Sequence, residues 1–179
     1  MNGLEPGDAG LPFDLRNANN SGAPRISYPE IVTDVGCIVM FTCNHCPYVI
    51  GNESRIETIA ARAREVGISF VGINSNDSEN YPTDGWEPMQ HRAENMSYDY
   101  LHDPTQEVAK AWGAERTPEF YLLNGSGIIV YRGRLDDSPK DPSHATTSEL
   151  SDAIDALLNG EVPHVSRTDS IGCSVKWKM

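Results

Sequence analysis

Two cysteines three residues apart, Cys43 and Cys46, lie in the stretch Phe41-Thr-Cys-Asn-His-Cys-Pro-Tyr48. Such a pair does redox chemistry when one sulfur is held as thiolate, the form that attacks disulfides. The stretch falls where an apolar run gives way to a helical pattern. A thiol there meets unpaired backbone N–H groups and the positive end of the helix dipole, and both favour the charged form. Cys43, outside the helix or at its cap, is the candidate nucleophile and is expected to be exposed. Cys46, one turn in, is the candidate resolving thiol, able to attack a mixed disulfide on Cys43 and release the partner. His45 is expected to donate to the thiolate or to carry positive charge, lowering the Cys43 pKa further and making the pair more oxidising.

A second constellation is Arg116-Thr117-Pro118-Glu119-Phe120. A proline opening a strand is compatible with a cis Thr117–Pro118 bond. Arg116 reads as exposed or as steering a substrate anion, and Glu119 as a surface carboxylate or a proton shuttle. Of the other cysteines, Cys37 lies in an apolar run and reads as a small core residue. Cys173 is either a thiol in a mobile tail or a third redox thiol that folds back on the dithiol. A structural zinc site needs about four ligands, usually from two paired clusters, and a second cluster is missing. No metal site and no organic cofactor is expected, since nothing resembles a glycine-rich nucleotide loop. Cu(I) carriage by the two thiols with His144 or His102 stands as an alternative, because soft thiolates suit Cu(I).

These residues need a scaffold. Residues 35–41 form a short β-rich apolar run, a buried strand. From Cys46 to Val66 the apolar residues Val49, Ile56, Ile59, Ala63 and Val66 share one helical face, and Gly67 supplies a stop. Residues 68–74 form a second apolar strand. Strand, long helix, strand is a βαβ unit with parallel strands and a right-handed crossover. Beyond it, a polar loop over 75–86 leads to a helix over 87–96 and a short strand at 100–102. Asp103-Pro104-Thr105-Gln106 reads as a helix start, with Asp103 as N-cap, and that helix ends at Gly113. Residues 119–123 and 128–132 flank a hairpin turn. Thr146-x-x-Glu149 reads as a capping box for a last helix carried by Leu150, Ile154, Leu157 and Leu158. Residues 11–15 and 25–27 are expected to form an N-terminal hairpin. The reading is one α/β domain over 1–179: an N-terminal extension (1–34), a core (35–160) with a mixed sheet flanked by helices, and a C-terminal tail (161–179) with no clear period.

Composition narrows the partners. The chain has 179 residues and a net charge of −12, from 14 Lys and Arg against 26 Asp and Glu. That charge argues against nucleic acid and anionic membrane surfaces, both polyanions. Four cysteines are too few for a disulfide scaffold. The start of the chain shows neither a basic stretch nor an apolar segment of the secretory kind, so a cytoplasmic location is expected.

The Phe41–Tyr48 stretch, with Thr117-Pro118 some way downstream, resembles the thioredoxin-like fold. More closely, it resembles redoxins related to alkyl hydroperoxide reductase and thiol-specific antioxidant proteins. Within that group it is similar to small peroxiredoxin-like proteins bearing Cys-Asn-His-Cys-Pro. Matching pieces include Ile73-Asn-Ser-Asn-Asp77, Asn80-Tyr-Pro82, Tyr131-Arg-Gly133, Leu135-Asp-Asp-Ser138 and Ile171-Gly-Cys-Ser-Val-Lys-Trp-Lys178. The resemblance implies that Cys43 and Cys46 are the redox pair. It also implies that Thr117-Pro118 is a cis bond beside them, with the Thr117 backbone free to pair with a substrate strand. Relatives often carry a cysteine before Thr-Pro, where this chain has Arg116. The Pro-x-x-x-Thr-x-x-Cys motif of peroxiredoxins is absent. The leading expectation is a thiol–disulfide oxidoreductase acting on a disulfide-containing protein and drawing on an unidentified thiol reductant. A thiol peroxidase acting on hydroperoxides is the alternative, with the Cu(I) carrier or a redox sensor behind it.

Overall fold

The run predicted as a buried strand is the middle of a seven-stranded sheet. The structure, a computed structural model, describes residues 3–179; Met1 and Asn2, where the reading of the chain's start begins, lie outside the described residues. In chain order the elements are β1 (Phe13–Asn17), β2 (Arg25–Tyr28), β3 (Gly36–Thr42), α1 (Pro47–Ile50), α2 (Glu53–Glu65), β4 (Ile68–Asn74), α3 (Trp86–Ala93), β5 (Asp99–His102), α4 (Glu107–Trp112), β6 (Arg116–Thr117), β7 (Glu119–Asn124), β8 (Ile129–Gly133), α5 (Glu149–Leu158) and β9 (Cys173–Ser174). The sheet order is β2-β1-β5-β4-β3-β7-β8, and β6 pairs with β9 as a separate two-stranded sheet. The predicted βαβ unit is present: β3 and β4 run parallel, from Gly36 opposite Ile68 to Thr42 opposite Asn74. On its other side β3 runs antiparallel to β7. The N-terminal hairpin joins this sheet through β1 and β5.

Every residue of β3 is buried, and the alternation explains why. Ile38 and Met40 face α2 and α5, where Ile56, Ile59, Leu150 and Ile154 close a core. Cys37, Val39 and Phe41 face the other way, onto Trp112 of α4 and Tyr121. A strand covered on both faces has no polar side, so it reads as an unbroken apolar run.

Several boundaries differ from the sequence expectations. The long helix from Cys46 breaks at Gly51–Asn52. The Asn52 side-chain amide donates to the Tyr48 carbonyl, four residues back, while its backbone N–H turns to Val49. A side chain competing for that carbonyl loosens the helix locally. The next correction is at Asp103, which is not the N-cap of α4. Gln106 holds that place with φ 66°, and the Asp103 carboxylate reaches further, to the N–H groups of Val108 and Ala109. The Thr146 capping box does not form either: Thr146 bonds to Asp137, and Ser148 is the N-cap of α5. Leu158, expected on the apolar face, is exposed. Gly67 and Gly113 do end their helices, with φ of 83° and 78° that side chains disfavour. No helix among the described residues is long and apolar enough to cross a membrane.

Candidate active site

β3 ends at Thr42, and the chain turns through Cys43-Asn44-His45 before Cys46 caps α1, with Pro47 at the first helical position. The loop hangs from a buried carboxylate that sequence reading missed. Asp84 is fully buried and accepts hydrogen bonds from the Asn44 backbone N–H (2.8 Å), Asn74 Nδ2 (3.0 Å) and Asn76 Nδ2 (3.1 Å). A buried carboxylate needs such donors, and here meeting that need fixes the loop. The only signal for it was the polar run Asn74–Asp77, uncommonly rich in groups that must find partners once buried.

His45 is not where the sequence reading put it. Its Nδ1 lies 2.9 Å from the Thr83 hydroxyl and 3.2 Å from Asp84, and the ring stacks beside Tyr81. Among the described residues no hydrogen bond joins it to either sulfur. The carboxylate and hydroxyl capture the imidazole, so it braces the loop.

Thr117 and Pro118 do come to the dithiol, and the bond between them is cis. The Thr117 hydroxyl stands 3.5 Å from Cys43 Sγ, and its carbonyl oxygen 3.6 Å from Cys46 Sγ. Tyr48 and Cys173 pack against the same sulfurs. Cys173 lies opposite Thr117 in the β6–β9 pairing, so the tail has folded back onto the site. This overturns the expected exposure of Cys43, which is 2% exposed against 3% for Cys46.

The dithiol holds its charge as a pair. Cys46 is drawn down to about 4, chiefly because the Cys43 thiol donates to it, with the Cys173 thiol and amide and the Val49 amide adding to the effect against burial. Cys43 is pushed up, first by that same hydrogen bond and then by burial, against the pull of the Thr117 hydroxyl. One proton therefore leaves the pair easily and the second is retained. The Val49 amide, at the start of α1, favours charge on Cys46. Cys37, by contrast, is fully enclosed and raised to about 12 by burial, the inert core thiol that was expected.

The remaining candidates lie apart. Glu119 is buried, not at the surface, and pairs with the equally buried Arg132 at 3.1 Å. Arg116 is exposed and donates to the Gly172 carbonyl. His102 stacks on Trp86 and His144 pairs with Asp141, so neither completes a Cu(I) site with the thiols. No group of three His, Cys, Asp or Glu among the described residues is placed to hold a metal ion.

The fold and the strand–dithiol–helix unit facing a cis proline can be set beside known proteins. The family model for redoxin matches residues 33–153, more than half of the chain. The chain belongs to the redoxin family. This redoxin has a thioredoxin-like fold and is similar along nearly its whole length to two solved proteins. An uncharacterized conserved protein from Geobacillus kaustophilus is 39% identical, with TM-score 0.89, covering 98% of this chain and 93% of that one. A hypothetical protein from Sinorhizobium meliloti 1021 is 30% identical, with TM-score 0.89, covering 99% and 97%. A secreted disulfide oxidoreductase from Mycobacterium tuberculosis, homologous to E. coli DsbE, shares the fold at 18% identity and TM-score 0.59, over 80% of this redoxin and 95% of that chain. No curated protein matches the chain.

Proposed function

We propose that this redoxin is a thiol–disulfide oxidoreductase whose redox centre is Cys43 and Cys46. The observation that carries the reading is a pair of packed sulfurs set against Thr117, Cys43 Sγ 3.5 Å from its hydroxyl and Cys46 Sγ 3.6 Å from its carbonyl oxygen. Attack begins with Cys43. Its proton passes to the neighbouring Cys46 thiolate, and the Thr117 carbonyl, 3.6 Å from Cys46 Sγ, accepts from the thiol so formed. The Cys43 thiolate then breaks a partner disulfide, forming a mixed disulfide and releasing one partner thiolate. Cys46 gives its proton to that leaving sulfur and attacks Cys43, closing the Cys43–Cys46 disulfide and releasing the second partner sulfur. Two electrons pass to the partner. A separate thiol reductant returns the protein to the dithiol.

His45 and Asp84 act as positioning residues for the loop, and the edge of Thr117 is where an extended partner segment would pair. Insulin disulfide reduction tests the reading. Cys43→Ser is expected to abolish it, and Cys46→Ser to accumulate mixed disulfides with the substrate. Equal reduction by wild type and Cys43→Ser overturns it.

A further inference from the structure

The tail lacks the apolar periodicity of an element, yet it is tied down along much of its length. Residues 166–168 lie along β8, through Arg132 N–H to the Ser166 carbonyl and Thr168 N–H to the Arg132 carbonyl. Beyond Cys173, Val175 N–H donates to the Glu115 carbonyl, and Lys176 exchanges bonds with Asn76 and Asp77. Gln106, fully buried, donates to the Lys176 carbonyl and accepts from Lys178 N–H. Between these anchors the chain crosses the dithiol. Gly172 is forced by that crossing: a β-carbon there would sit 1.9 Å from the Thr117 carbonyl oxygen. The tail thus occupies the strand position, beside the cis proline, assigned above to a partner, and it brings a cysteine with it.

That cysteine packs into one cluster with Cys43, Cys46 and Val49. It lies opposite Thr117, whose carbonyl oxygen stands 3.6 Å from Cys46 Sγ. Its thiol and amide favour charge on Cys46, and neither acts on Cys43.

We propose that Cys173 is a third redox thiol, which takes Cys46 from the Cys43–Cys46 disulfide and locks the tail across Thr117. The inference rests on the dithiol reading, which supplies the starting disulfide. The Cys173 thiolate attacks Cys46 Sγ. The Cys43–Cys46 bond breaks, the Cys46–Cys173 bond forms, and Cys43 leaves as a thiolate that takes up the proton Cys173 gave. The protein's oxidation state is unchanged, so no further oxidant enters. In the reduced protein Cys173 is raised to about 11, by burial first and then by its hydrogen bond to Cys46 and the charge there. Both influences of Cys46 vanish once Cys46 is in a disulfide, while Lys176 and Lys140 continue to favour the Cys173 thiolate. Exchange returns Cys43 to the reduced form and closes the strand edge, so the oxidised enzyme shuts its own partner site.

Thiol mapping of the full chain tests this. Wild type, Cys43→Ser and Cys173→Ser are oxidised with diamide, free thiols are alkylated, and the digests are read by mass spectrometry. The expected result is a peptide containing Cys46 joined to one containing Cys173 in wild type and in Cys43→Ser, with Cys173 alkylation lost on oxidation. Cys173→Ser is expected to yield only the Cys43–Cys46 disulfide. If wild type forms Cys43–Cys46 while Cys173 stays fully alkylated, and Cys43→Ser forms no internal disulfide, the third-thiol role is overturned and the dithiol reading stands. If Cys173→Ser forms no Cys43–Cys46 disulfide, the dithiol reading itself fails.

Discussion

The central strands and the C-terminal tail reach the same dithiol by different physics. β3 is held by burial on both faces, with Ile38 and Met40 on one side and Val39 and Phe41 on the other. The tail is held by backbone pairing and by a few buried polar side chains, Asn76 and Gln106 among them. Burial is non-directional and tied to the cooperative core. The polar anchors are local and can be released one at a time. The scaffold is therefore expected to melt as a unit, while the tail opens on its own.

The largest effect expected is in the strand. Ile38→Ala empties a fully buried site and should cost about 2–5 kcal/mol of global stability. A urea titration of the reduced protein reads it as a lower midpoint with unchanged slope. A change confined to the tail would break the contrast.

A smaller and differently placed effect is expected at Gln106. Gln106→Ala removes the buried amide that bridges the Ser75 and Lys176 carbonyls and the Lys178 N–H. The loss should be about 1–3 kcal/mol, from carbonyls left without partners. Hydrogen exchange should show it as faster exchange at 173–178 with β3 and β4 still protected. Equal loss of protection in the strands would mean that the tail belongs to the cooperative core.

The same contrast separates what was legible in the sequence from what was not. The βαβ unit, the hairpin of β7 and β8 and the inert Cys37 follow from apolar spacing, because both faces of a central strand must be filled. The dithiol, with Thr117 beside it, was found by residue type and by resemblance. The errors fall on polar groups whose partners are distant in the chain. Asp103 and Thr146 carry good local capping patterns, but Asp103 reaches on to the Val108 and Ala109 amides and Thr146 turns to Asp137. His45 was assigned to the sulfurs because it lies between them in sequence, yet Asp84, far along the chain, holds it. The exposure expected of Cys43 failed for the same reason: a tail without periodicity returns across the site through bonds to Glu115, Asn76 and Gln106. Spacing reports a side chain's own element, and a buried polar group answers to whichever partner the fold brings.

The subtlest test joins the two regions at the sulfur. An alanine at Gly172 cannot keep the tail against the Thr117 carbonyl, so Gly172→Ala should lift the Cys173 thiol and amide from Cys46 without touching the dithiol. Alkylation of the pair should then quicken by about tenfold, since the covering segment no longer has to open first. The thiolate should also form at higher pH, because two of the groups that draw Cys46 down to about 4 have left. The sign of the stability effect follows. With its folded value depressed from the ordinary 9.0, Cys46 contributes stability that is fully present above pH 9.0 and lost as pH falls through about 4. Cys43, raised, contributes the opposite way, losing its share only as pH climbs past 9.0. Between about pH 4 and 9.0 the stability of the reduced protein should therefore climb with pH, and in Gly172→Ala that climb should begin at higher pH. Ultraviolet absorbance of the thiolate against pH, with urea midpoints at matched pH values, reads both. An unchanged thiolate titration in Gly172→Ala would mean that Cys43 and the Val49 amide hold the charge alone and that the tail only covers it.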